Sequence, residues 1–334
     1  MPAASAPAIN PAVDLPSLRK AIGAKITEHD LATANPMHGL IVTFDRTDPA
    51  PKAGDAVPPG WHHAFFPAMS RKAILGDDGL PTTSLLLQKM PFRRRMFAGV
   101  DLTFHDPIRI GDAITRETEL TDITARAGST GTLIFTTQMR RYSTPRGLAI
   151  EEESHGVFRE EVKAGTANPA SKRDEAPAGL PWSRTIDADV VSLFRFSALT
   201  FNPHRIHYDR TYAMGTEGYP GLVVHGPYAQ QCLMDFARDH MGATTMRTFK
   251  MRARAPLFDT APFTLVGRPT DGGRACEVWA LSPDQTIAMQ ATATGRFSLR
   301  QQLARRPPVS RLLPISFMGR RCRQADEGAN PRAP

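Results

Sequence analysis

Hydrophobic and polar positions alternate with a period of two along several stretches of this chain, and with a period near 3.6 along one. Residues 1–16 are rich in Ala and Pro and carry neither period. The apolar run from Gly39 to Phe44 reads as a short strand, and 45–60 as a loop, since it holds Pro49, Pro51, Pro58, Pro59 and two glycines. Residues 61–99 run from WHHAFF through a polar turn at Gly76–Gly79 to MPFRRRMFAG. Short apolar pieces broken by Pro and Gly predict a long surface excursion at the mouth of a site. Strands are expected from Leu102 onward: ITRETEL (114–120) alternates, TGTLIFTTQMRRYS (130–143) is rich in β-formers, and Leu148–Phe158 follows a turn at Pro145–Gly147. Residues 163–181 have neither period and read as a linker.

The second half repeats this plan. Helical or irregular pieces are expected over 187–214, with turn glycines at Gly218 and Gly221. HGPYAQQCLMDFARDH (225–240) is the strongest helix: Pro227 suits a first turn, and Ala229, Cys232, Leu233, Phe236 and Ala237 form one apolar face. Strands follow at 263–266 and 275–282, with a turn at Pro283–Asp284 and a return strand carrying Ile287, Met289, Ala291 and Ala293. One long helix followed by long antiparallel strands predicts an α+β fold with a sheet curled around a central helix. A faint echo between FHDPIRIGDAI (104–114) and RARAPLFDTAPF (252–263) suggests an internal duplication.

Composition narrows the class. The 334 residues, 41% hydrophobic and 22% charged, are ordinary for a globular protein of about two domains. No uncharged apolar stretch is long enough to span a membrane. The net charge of +8 invites a nucleic-acid reading, but residues 301–334 carry seven arginines against Asp326 and Glu327, so the tail alone supplies +5. The rest is near neutral and shows no basic stripe, so no nucleic-acid partner is expected. Cys232, Cys276 and Cys322 cannot all pair within one chain, and no signal peptide or arginine-rich presequence is evident, so a cytoplasmic location is expected.

Several chemistries lack their motifs. No GxGxxG follows a strand, and neither a P-loop nor a G-x-S-x-G elbow is present. His62–His63 and His204/His207 lack the further ligands of a zinc site, so no metal is expected. The densest polar cluster is SALTFNPHRIHYD (197–209), which puts Asn202, His204, Arg205, His207, Tyr208 and Asp209 in eight positions, ahead of His225–Gly226 at the helix start. Such residues could simply cap and pack a turn. Alternatively, helix N-terminal amides can hold an oxyanion while a histidine exchanges a proton. Together they suffice to add water across an α,β-unsaturated thioester, or to remove it, without a redox cofactor.

These residues resemble the MaoC-like, or (R)-specific enoyl-thioester hydratase, family. The likeness is carried by SALTFNPHRIHYDRTYA with GYPGLVVHGPYAQQCLMDFA, and supported by WHHAFF, PFRRRMFAG, LTFHDPIRIGD and RARAPLFDTAPFTL. It spans about residues 18–300 and is strongest toward the two-domain group that contains mesaconyl-C4-CoA hydratase and mitochondrial-type 3-hydroxyacyl-thioester dehydratase. The resemblance implies a double hot-dog fold, two antiparallel sheets each wrapped around a central helix. It implies a degraded copy at 18–165, a linker at 166–180, a catalytic domain at 181–300 and a basic tail at 301–334.

The family motif is Asp-x-Asn-Pro-x-His. With its His on His207, its Asp falls on Asn202, so the histidine is kept and the carboxylate is lost. Asn202 would position water or thioester, and Asp209 would orient His207. Gly226 would donate to the oxyanion, or serve only the turn. Substrate contacts are expected at Arg205, Asp209, His225, Arg94 and Arg95, the arginines suiting coenzyme A phosphates or a substrate carboxylate unless Arg93–Arg95 is merely a solvated face. The implied activity is hydration of an enoyl-CoA, mesaconyl-C4-CoA to citramalyl-CoA by resemblance. Dehydration of straight-chain 3-hydroxyacyl thioesters, on CoA or a carrier protein, is the alternative, and a non-catalytic acyl-thioester binding protein a further one. No cofactor is expected beyond the CoA of the substrate. The chain would be a monomer with internal pairing or a homodimer.

Overall fold

The computed structural model describes residues 9–83, 86, 90–128, 131–160, 174–241 and 243–297. The basic tail and most of the expected linker lie outside the described residues. The first half contains α1 (Leu15–Arg19), β1 (Lys25–Leu31), α2 (Ala34–Thr43), β2 (Arg94–Phe104), β3 (Ala113–Gly128), β4 (Gly131–Thr144) and β5 (Gly147–Arg159). The second contains β6 (Trp182–Ile186), α3 (Val190–Thr200), α4 (Arg210–Gly215), α5 (Gly226–Met241), β7 (Ala243–Ala253), β8 (Phe263–Thr270), β9 (Ala275–Leu281) and β10 (Ile287–Phe297).

All ten strands join one antiparallel sheet in the order β1-β3-β4-β5-β2-β7-β10-β9-β8-β6. This corrects the expected pair of sheets, each wrapped around its own helix. The ladder is continuous because β2 pairs with β7 at mid-sheet, with Val100 opposite Met251 and Leu102 opposite Phe249. It is open, with β1 and β6 at its edges. Among the described residues the first half also lacks an equivalent of the 16-residue α5: its longest described helix is the ten-residue α2. The strand order of the first half, read from edge to seam, recurs in the second, in line with the echo around Pro107 and Pro256.

The expected strand at Gly39–Phe44 is the C-terminal part of α2. Met37, Leu40 and Ile41 are buried while Val42 is half exposed, a spacing of three and four rather than two. β2 begins at Arg94, inside the expected surface excursion, because RRMFAGVDLTF pairs along its length with β5. The expected strands at 114–120, 130–143, 148–158, 275–282 and 285–299 lie within or overlap β3, β4, β5, β9 and β10.

Helix α5 is buried on all sides over Tyr228–Ala237, including its polar residues. Its apolar side meets the second-half strands. Its polar side is roofed by residues 59–63: Gln230 bonds His63, Gln231 donates to the Pro59 carbonyl, and the Trp61 indole donates to Asp235 at 3.2 Å. A single apolar cluster includes Trp61 and Leu102 from the first half with Phe236 and Phe249 from the second. This shared core positions the site, because first-half residues press directly on the start of α5.

Candidate active site

Three short-range devices shape the polar cluster. Helix α3 starts on Asp189, whose carboxylate accepts from the Ser192 amide at 2.8 Å, and ends at Phe201 in the left-handed region (φ 53°). That reversal turns the chain into Asn202–Pro203. Asn202 Oδ1 then accepts from the His204 amide at 3.0 Å, closing a local turn. Asp209 caps α4 by accepting from the Tyr212 amide at 3.0 Å. Between these two caps, Arg205–His207 forms one 3-10 turn that carries His207 inward.

His207 is 7% exposed. Its Nδ1 lies 2.7 Å from the Val223 carbonyl oxygen. A carbonyl can only accept, so Nδ1 carries the proton and Nε2 is left as the basic nitrogen. The His207 and His225 rings stack at 3.8 Å between centroids, and the His204 ring stands edge-on to His207 at 5.3 Å. Burial, reinforced by the neighbouring His204, pushes the His207 pKa down to about 3, so its ring is neutral at pH 7. Burial and the nearby Arg95 lower His204 to about 4. His225 is fully enclosed, with Nε2 2.8 Å from Ser197 Oγ and Nδ1 without a partner among the described residues.

Gly226 is the first residue of α5, so its amide belongs to the turn whose N–H groups have no intrahelical acceptor. A Cβ at this position would lie 2.5 Å from Phe97 Cδ1 and 2.9 Å from Phe97 Cβ. The glycine is therefore required by a first-half side chain laid across the helix start, a contact the sequence does not reveal. The loop 76–82 makes a second cross-half contact. Its Asp78 carbonyl accepts from the Arg205 amide at 2.9 Å, and Gly79 (φ +84°) passes so close to the Pro203 carbonyl that a Cβ would lie 2.0 Å from its oxygen.

The other expected site residues divide. Asp209 does not touch His207. It pairs with Arg205 at 2.7 Å while capping α4, and Arg205 also donates to the Asp77 carbonyl and lies over the Tyr212 ring. The orientation of His207 comes instead from the Val223 carbonyl. Arg94 is held by Glu217 at 2.8 Å. Arg95 points to the loop, donating to the Pro81 carbonyl at 2.8 Å. Sequence reasoning missed the contacts of Ser197 and Val223, which are set only by the fold.

Two other features are set apart by their chemistry. A cavity of about 500 Å³ is lined by Phe44, Arg46, Arg184, Tyr228, Cys232 and Asp239. Phe196 and Tyr228 separate it from His225, and it holds no histidine. Ligand atoms of His62, His63 and Glu152 lie within 4.8 Å of one another. Arg140, however, holds the Glu152 carboxylate at 2.6 Å and the Tyr142 hydroxyl donates to it at 3.0 Å, so a cation there would face a guanidinium. Burial pushes the Glu152 carboxyl up, but Arg140 and the two histidines outweigh it and hold the acid well below its usual range.

Comparison with known proteins identifies the family. The family model for hydroxyacyl-thioester dehydratase type 2 matches residues 60–259, which include both the WHHAFF turn and α5. The mesaconyl-C(4)-CoA hydratase of Chloroflexus aurantiacus is 41% identical over 266 residues, covering 79% of this chain and 92% of that protein. The mitochondrial hydroxyacyl-thioester dehydratase type 2 of Schizosaccharomyces pombe is 26% identical, covering 62% and 76%. Among solved structures, a MaoC-like dehydratase superposes with a TM-score of 0.64 at 16% identity, covering 84% of this chain and all of that one. A MaoC-like dehydratase from Phytophthora capsici gives 0.58 at 11% identity, covering 86% and 100%. These two show a shared fold. The match over residues 60–259 and the 41% identity show more: the chain belongs to the hydroxyacyl-thioester dehydratase type 2 family, and its activity is of the hydratase–dehydratase kind.

Proposed function

We propose that the protein hydrates an α,β-unsaturated acyl-CoA reversibly, with mesaconyl-C4-CoA as substrate and citramalyl-CoA as product. The substrate is suggested by the 41% identity to the Chloroflexus hydratase. The observation that carries the chemistry is the Nδ1 bond of His207 to the Val223 carbonyl, which supports a neutral ring with a basic Nε2 beside the start of α5. Water attacks the β-carbon. Nε2 takes one proton from that water, the C–O bond forms, and the π electrons move toward the thioester oxygen. The Gly226 amide, with the positive end of α5 behind it, receives the enolate charge. Return of the proton to the α-carbon completes the addition. In this reading Asn202 acts through the backbone: it fixes the turn that presents His204 and His207. The enclosed His225 shapes the wall behind His207 and is held by Ser197.

The same groups run in reverse would dehydrate a straight-chain 3-hydroxyacyl thioester, the reaction named for the Schizosaccharomyces relative. A substrate panel separates the two. Purified protein is expected to hydrate mesaconyl-C4-CoA with a kcat/KM at least about tenfold above that for crotonyl-CoA or a longer enoyl-CoA. A higher value for the straight chains would reverse the assignment. The β2–β7 seam supports a monomer as the working unit, since one chain supplies both sides of the pairing.

A further inference from the structure

Four arginines around the site are held by carboxylates. Arg94 is bound by Glu217, Arg205 by Asp209, Arg252 by Asp101 and Arg210 by Asp259. Arg95 makes no ion pair with any described residue. Its Nη2 donates to a neutral carbonyl, that of Pro81, and its Nε is enclosed without a partner. Burial lowers its pKa, and Asp78 offsets this only from a distance. A partly desolvated guanidinium with an unused donor is costly unless an anion arrives.

Its position says which anion. Arg95 and Phe97 are two residues apart on β2 and so face the same side of the sheet. Phe97 lies on Gly226, and the Arg95 charge is felt by His204, whose ring touches His207. Two strand residues span about 6.6 Å. In a trans enoyl thioester, a carboxyl carbon on the β-carbon lies about 4 Å from the thioester carbonyl carbon. A charge-assisted hydrogen bond of about 2.8 Å completes the span. Coenzyme A phosphates lie a whole pantetheine arm from the reacting carbons and do not fit this placement.

We propose that Arg95 determines specificity by receiving, through Nε and its guanidinium fork, a carboxylate borne on the β-carbon of the acyl group. The inference rests on the hydratase reading for its substrate, and it assigns the carboxylate to Arg95 rather than to Arg94, which Glu217 already holds.

Binding tests it without turnover. Succinyl-CoA carries a β-carboxylate where butyryl-CoA carries a methyl, and the two share the whole CoA portion. Calorimetry on the full chain is expected to show succinyl-CoA bound at least about tenfold tighter than butyryl-CoA, with the preference lost in Arg95→Met and partly kept in Arg95→Lys. Retention of the preference in Arg95→Met, or no preference in the wild type, would overturn the proposal. Equal weakening of both ligands and of free CoA in Arg95→Met would also overturn it, by moving the contact to the CoA phosphates. If Arg95→Met does not fold by its melting curve, Arg95→Lys and the wild-type preference decide. The substrate reading fails separately, through the enoyl-CoA panel, since neither binding probe reacts.

Discussion

At the scale of the residue, the chemistry turns on which nitrogen of His207 holds the proton. The Val223 carbonyl settles it, and burial keeps the ring neutral. An ordinary histidine base would lose activity as pH falls through about 6.5. With its pKa lowered to about 3, His207 stays unprotonated far below that. The expected pH profile of kcat/KM is therefore flat from pH 8 to about 5, and a midpoint near 6.5 on the acid side would contradict it. Stability runs the other way. The folded-state pKa lies below the unfolded value, so the unfolded chain binds more protons between about pH 3 and 6.5. Stability is lost as pH falls through that window, by up to about 1.4 kcal/mol per pH unit for this group, and melting curves at pH 7 and 5 should show the drop. His207 was legible in the sequence because it sits in a dense polar cluster of 197–209. Its orienting partner was not, since a backbone carbonyl has no side-chain signature, and the apparent candidate, Asp209, is occupied by Arg205 and the α4 cap.

At the scale of the element, helix α5 was the clearest reading of the sequence and still an incomplete one. Its start and apolar positions followed from Pro227 and the three-and-four spacing. Its polar residues are buried too, because residues 59–63 supply their partners. No local pattern encodes a roof drawn from more than 150 residues away. The same holds for Gly226, readable as a turn glycine but required by Phe97. Gly226→Ala is expected to destabilise the fold by about 1–3 kcal/mol, as overpacking does, and to lower kcat by more than KM by shifting the oxyanion amide. Adding Phe97→Ala should restore much of the melting temperature. An unchanged melting temperature in Gly226→Ala would show that the Phe97 contact is not tight. The misread strand at 39–44 has another cause: a six-residue apolar run fits both periods, and only the exposure of Val42 identifies it as helix.

At the scale of the whole molecule, the long alternating strands were legible and their assembly was not. Pairing across β2 and β7 depends on register at mid-sheet, and it merges what the sequence presented as two separate sheets. The roof over α5 is itself anchored inside the first half. Glu152 is 1% exposed, and its carboxylate is matched by Arg140, Tyr142 and His62. Arg140→Met would strand that carboxylate, and a loss of about 3–5 kcal/mol is expected. A loss below about 1 kcal/mol by denaturant titration would mean that the pair is a marginal surface contact. The site depends on this joining of halves, because Phe97 and the loop 76–82 both reach residues 202–226 from the first half.

The proposed mechanism needs His207 as the base that moves the proton. Initial rates of enoyl-CoA hydration in wild type and His207→Ala, with the fold of the variant checked by circular dichroism, test it most directly. A fall in kcat of about a hundredfold to ten-thousandfold is expected for a lost general base. A folded His207→Ala enzyme with a near wild-type kcat would contradict the mechanism.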